Sequence, residues 1–97
     1  MLEAIEETQD GLLLAVDVVN DQGLHARPAA KLAQEAQKFR ADLHLLHDGT
    51  EVDAKSILDI LSLAAAQGTT LTLRARGDDA QQALERLATL FRNRFRE

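Results

Sequence analysis

The chain has 97 residues, 45% of them hydrophobic and 28% charged, with a formal net charge of −5. That length suits one small domain with a single core, and the acidic balance argues against a nucleic-acid binder, which needs cations for the phosphate backbone. There is no Cys, so disulfides and thiolate metal sites are excluded, no apolar run reaches membrane-spanning length, and the acidic N-terminus lacks the basic start of a signal peptide.

Residues 1–11 are acidic, without periodicity, and end on the turn signal Asp10-Gly11; they read as an extension or linker ahead of a domain over 12–97. Leu12, Leu14, Val16 and Val18 alternate with Leu13, Ala15, Asp17 and Val19, which predicts a first strand with a partly apolar second face. Asn20-Asp21-Gln22-Gly23 is a loop by composition, and Ala29, Leu32, Ala33, Ala36 and Phe39 then recur at helical spacing. A strand over 42–47 follows, with Asp48-Gly49 as a tight turn into a short strand through Val52. Residues 54–66 read as a short helix closed by Gln67-Gly68. From Thr70 to Arg76 the alternation is clean, with Leu71, Leu73 and Ala75 inward. The last helix carries Ala80, Ala83, Leu84, Leu87, Leu90, Phe91 and Phe95 on one stripe. The order βαββαβα predicts an α+β domain, a mainly antiparallel sheet with one face covered by helices.

The most informative segment is Gly23-Leu24-His25-Ala26-Arg27-Pro28-Ala29-Ala30. Pro28 has no N–H and belongs in a first helical turn, which puts the N-cap between His25 and Arg27. Unpaired amides and the positive helix end form an anion site there, and Arg27 adds a two-pronged donor for phosphate oxygens. A positive helix end favours the neutral imidazole, which is its nucleophilic form. Gly23 lets the loop backbone pass closely and leaves the ring accessible.

Gly23-Leu24-His25-Ala26-Arg27-Pro28-Ala29 resembles the active-site signature of the HPr family, the histidine-containing phosphocarriers of the bacterial phosphoenolpyruvate-dependent phosphotransferase system. The segment Val52-Asp53-Ala54-Lys55-Ser56-Ile57-Leu58-Asp59-Ile60-Leu61-Ser62-Leu63 is similar to that family's regulatory-serine motif, at family spacing from the first. The resemblance runs from about Leu14 to Phe95. It implies an HPr-like open-faced β-sandwich: a four-stranded antiparallel sheet with three helices on one face. The absence of Cys suits a cytoplasmic protein, and the three His are too scattered to suggest a metal site. No second acid/base group is evident beside His25, so the expectation is a monomeric carrier rather than an autonomous enzyme, with no cofactor and no metal. In that reading His25 accepts a phosphoryl group on Nδ1 from phospho-enzyme I, Arg27 steadies it, Pro28 shapes the helix start, and an enzyme IIA-type protein receives it. Gln34 and Gln37 stand where many members of the family have Lys, and the family Gly after the second helix is replaced near Ala64.

Ser56 precedes Ile57-Leu58-Asp59 in a capping-box-like pattern and is an N-cap candidate, with Asp53 as a competitor. Phosphate on a capping Ser is compatible with the helix dipole, and the resemblance makes Ser56 a regulatory site for a bifunctional HPr kinase/phosphorylase. The apolar residues of this short helix surround too much of it for one buried stripe, so some are exposed; Ile57, Leu58 and Leu61 are the candidate docking residues. Phe91-Arg92-Asn93-Arg94-Phe95 resembles the nitrogen-related branch of the family, in which the relay ends in regulatory proteins. A small-molecule-binding regulatory domain of ferredoxin-like build accounts for the element order short of the last helix, but leaves the His-Arg-Pro cluster unexplained. His44 and His47 read as ordinary strand residues, and Arg92, Arg94 and Arg96 as charges suited to the negative end of the last helix.

Overall fold

The computed structural model describes residues 5–97. Eight elements follow in chain order: β1 (Glu6–Thr8), β2 (Gly11–Asp17), α1 (Ala26–Ala36), β3 (Asp42–His47), β4 (Thr50–Asp53), α2 (Ile57–Ser62), β5 (Thr70–Arg76) and α3 (Ala80–Arg92). The strands form one sheet in the order β1-β2-β5-β3-β4, and every neighbouring pair is antiparallel.

Register explains which face became the core. Leu14 lies opposite Leu73, Val16 opposite Leu71, Leu43 opposite Ala75 and Leu45 opposite Leu73, so the inward residues of three strands meet in one apolar layer. All of them are buried. Since side chains alternate, Ala15, Asp17 and Arg76 fall on the other face and are exposed. The helices cover the apolar layer with Leu32, Leu84, Leu87 and Phe91, while buried Ala29, Ala33, Ala36, Ala83 and Ala88 keep helix and sheet backbones close. Asp79 ties α3 to β3, its carboxylate accepting the amides of Arg40 and Ala41 at 2.9 Å each. Those bonds hold its carboxyl below the usual range.

The sheet has five strands rather than the expected four. The extra one, β1, lies in the segment read as an extension, pairing Glu6 with Leu13 and Glu7 with Leu12. An edge strand needs only backbone partners, so no alternating apolar signal announces it. Its turn is closed by the Thr8 hydroxyl, which donates to the carbonyl of Gly11 at 2.9 Å. Residues 1–4 of that segment lie outside the described residues.

Two helices stop short of their expected ends. α1 ends before Phe39, and α2 covers only Ile57–Ser62, because Ala64 turns left-handed at φ 49°. Phe95 lies beyond α3, not on its stripe, although its ring still packs edge-on against Phe91 with centroids 5.0 Å apart. The Asp48-Gly49 turn joins β3 to β4 with positive φ at both residues (49° and 79°), the geometry that matches strand twist.

Candidate functional site

His25 is the N-cap of α1, with an extended backbone (φ −76°, ψ −170°). Its side chain makes no capping bond and is exposed, so the imidazole is free to meet a partner. Pro28 occupies the third helical position and has no N–H, which leaves the amides of Ala26 and Arg27 as the donors of the first turn. The next amide, Ala29, already donates to the His25 carbonyl at 3.0 Å. Arg27 is exposed beside them.

Buried neighbours on both sides fix His25 in place. Pro28 is buried in the first turn of α1, and Leu24 is 4% exposed, with its amide donating to the Ala65 carbonyl at 2.9 Å. Gly23 brings the loop against that same carbonyl: it sits at φ +66°, and a Cβ there would lie 2.2 Å from the Ala65 oxygen. The histidine loop is therefore docked on the turn that follows α2.

Two adjoining open concavities share His25. One is lined by Arg27, Lys31 and Gln34 together with Arg94 and Arg96; the other by Asp21, Gln22, Arg94 and Arg96. The two C-terminal arginines were expected only as complements to the end of α3. They line the same concavities as the histidine because the helix stops at Arg92 and the chain turns back through positive φ at Arg94 and Phe95 (60° and 58°). Neither residue is Gly or Asn; the local signal for the turn is the preceding Asn93, whose side-chain oxygen accepts the Phe95 amide at 3.1 Å.

Ser56 caps α2 as expected, its hydroxyl accepting the amide of Asp59 at 3.2 Å. The reciprocal half of a capping box is displaced: the Asp59 carboxylate accepts from the amide of Asp53 at 3.1 Å, while the Asp53 carboxylate accepts from Lys55. Ile57 and Leu58 are 42% and 79% exposed, the large apolar side chains that stand out on the described surface. Leu61 is half-buried and Ile60 fully buried. α1 and α2 are joined through Gln37, whose amide donates to the Lys55 carbonyl at 2.8 Å. His44 and His47 are not part of this site; each lies near a carboxylate, Glu51 and Asp48 respectively, on the β3-β4 hairpin.

A small α+β domain that offers an uncapped imidazole at a helix start, beside unpaired amides and with arginines lining the same concavities, brings together groups that can bind an anion and a nitrogen that can act as a nucleophile. The family described as "PTS HPr component phosphorylation site" matches residues 14–93. The phosphocarrier protein HPr of Xylella fastidiosa is 48% identical over 80 residues, covering 82% of this chain and 90% of that one. Among solved structures, HPr-C-His from Thermoanaerobacter tengcongensis superposes with a TM-score of 0.84 at 40% identity, covering 88% of this chain and 96% of that one. The Bacillus subtilis catabolite-repression protein Crh, solved as a dimer with a swapped domain, gives a TM-score of 0.70 at 49% identity, covering 80% and 90%. The chain belongs to the HPr family: it is a phosphocarrier of the phosphotransferase system. Among the described residues no helix is long and apolar enough to cross a membrane.

Proposed function

We propose that residues 12–97 carry a phosphoryl group on His25 between enzyme I and an enzyme IIA-type acceptor. The observation that supports this most directly is the exposed, uncapped imidazole at the start of α1, beside the Ala26 and Arg27 amides. In the forward step Nδ1 attacks phosphorus on the phosphohistidine of enzyme I. The donor's P–N bond breaks, its electron pair returns to the donor ring, and a new P–N bond forms on His25. Transfer to the acceptor repeats the exchange in the opposite sense. The helix amides and Arg27 hold the phosphoryl oxygens, and Pro28 keeps the helix start in place beneath them.

Ile57, Leu58 and Leu61 form the docking patch, and Ser56 at its edge is the regulatory site, the substrate of an HPr kinase/phosphorylase. Phosphate there satisfies the helix dipole but places about two negative charges beside apolar side chains that must be desolvated on docking. In this reading the carrier works as a cytoplasmic monomer.

The test is labelling with phosphoenolpyruvate and enzyme I. One acid-labile, base-stable phosphoryl group should appear, and His25→Ala should abolish it while thermal unfolding stays that of the parent. Undiminished label in the variant would mean another acceptor.

A further inference from the structure

We propose that Arg94 and Arg96 form a second cationic arm of the phosphoryl site, delivered to His25 by the folded-back C-terminal segment. This rests on His25 being the phosphoryl carrier. Both concavities beside His25 are lined by both arginines, one of them together with Arg27 and Lys31. The chain as a whole carries 16 Asp and Glu against 11 Lys and Arg, so four cations around one histidine run against its composition.

The segment that carries them is fastened at several points. Asn20 donates from its side-chain amide to the Arg94 carbonyl at 3.0 Å, and the Phe95 amide donates to the Leu90 carbonyl at 2.8 Å. The Phe95 ring rests on Phe91. Glu97 accepts from Arg86 and from Asn93, and Arg86 also holds Glu35. This last network engages the Glu97 carboxylate, which borders one of the concavities. Two acidic residues border the concavities, Glu97 and Asp21, and the first is already committed to Arg86. Among the described residues neither Arg94 nor Arg96 enters an ion pair, and both are exposed. Their guanidinium groups are therefore unspent.

Chemistry explains why such an arm is useful. A phosphoryl group on nitrogen presents three oxygens sharing about two negative charges, and during transfer that charge spreads over all three. Two amides and one arginine at the helix start leave further oxygen lone pairs to be met, and planar guanidinium groups suit them. Arg94 and Arg96 would act on the bound phosphoryl group itself, whereas Asn20, Arg86 and Glu97 would be positioning residues that hold the arm.

The test compares Arg94→Gln/Arg96→Gln with Arg40→Gln/Arg76→Gln, which removes the same charge from exposed positions outside both concavities. Inorganic phosphate is titrated into each protein, followed by the backbone amide shifts of Ala26 and Arg27. The apparent Kd should weaken roughly threefold to tenfold in the first double variant, on the scale of two exposed charge contacts, and less than about twofold in the control. Arg94→Lys/Arg96→Lys should recover most of the affinity. A second readout is the fraction of His25 charged by enzyme I at equilibrium, which should fall by a similar factor. Equal phosphate affinity in the two double variants overturns the proposal, whether both are weakened or neither is. If the parent protein takes up no label from enzyme I, the carrier reading fails separately, and the phosphate titration still decides the arm.

Discussion

Replacing Gly23 with Ala tests whether the histidine loop is truly docked on the turn after α2. Two penalties combine. A left-handed backbone costs a residue with a Cβ about 1–2 kcal/mol, and Gly23 sits at φ +66°. The new Cβ would also stand 2.2 Å from the Ala65 carbonyl oxygen, so loop or turn must move. That movement breaks the bond from the Leu24 amide to the same oxygen, now 2.9 Å, at a cost of about 1 kcal/mol. The sum is about 2–3 kcal/mol, which in a domain of this size lowers Tm by roughly 8–24 °C. Gly49→Ala is the internal standard, since Gly49 is left-handed at φ +79° with nothing within 4 Å of a new Cβ. It should cost only the backbone part, about 1–2 kcal/mol. Urea titration of both variants with thermal melts alongside gives the comparison. If Gly23→Ala loses no more stability than Gly49→Ala, the close approach to Ala65 is not a constraint and the docked loop must be abandoned.

Ser56→Asp should keep the cap of α2 at a cost under about 1 kcal/mol, yet slow phosphoryl transfer from enzyme I roughly tenfold by charging the edge of the Ile57-Leu58 patch. Ser56→Ala should lose about 1 kcal/mol with near-normal transfer, and equal rates in the two variants would leave Ser56 a cap and nothing more. The hydrogen bond from Lys38, aided by Arg86 and opposed by burial, lowers the Glu35 carboxyl from 4.5 to about 2. Between those values the unfolded chain binds the extra proton, so this stabilisation is complete above about pH 4.5 and lost as pH falls toward 2. Glu35→Gln should therefore flatten part of the acid limb in urea-midpoint measurements, the remainder belonging in part to Glu97, which Arg86 also holds at about 2. Parallel acid limbs for variant and parent would contradict that assignment.

The patterns legible in the sequence were those that a buried face enforces. Leu71, Leu73 and Ala75 alternate because β5 lies in mid-sheet, and the strand spans Thr70–Arg76 as read. His25, Pro28 and Ser56 were placed correctly at helix starts because capping and proline rules act within a few residues. What stayed hidden depended on distant partners. β1 carries no apolar alternation, since it borrows its order from β2 through backbone bonds. The end of α2 was overrun because Ala64 adopts a conformation more usual for Gly. Arg94 and Arg96 looked like helix-end charges, and their approach to His25 depends on contacts with Asn20 and Arg86, which lie 74 and 11 residues away from the tail positions they hold.

The fifth strand changes what the sheet offers to other chains. Without it β2 would be the outermost strand, seven residues long and bearing Leu12, Leu13 and Leu14, an inviting template for a strand from another molecule. β1 occupies that position with three residues, two of them exposed glutamates. A partner strand pairing there would have to place its backbone along a short acidic segment, with little apolar surface to gain. Among the described residues, then, the chain trades a sticky sheet margin for a blunt, charged one. The hairpin closed by Thr8 and Gly11 therefore leaves this margin of the sheet short, acidic and poor in apolar surface.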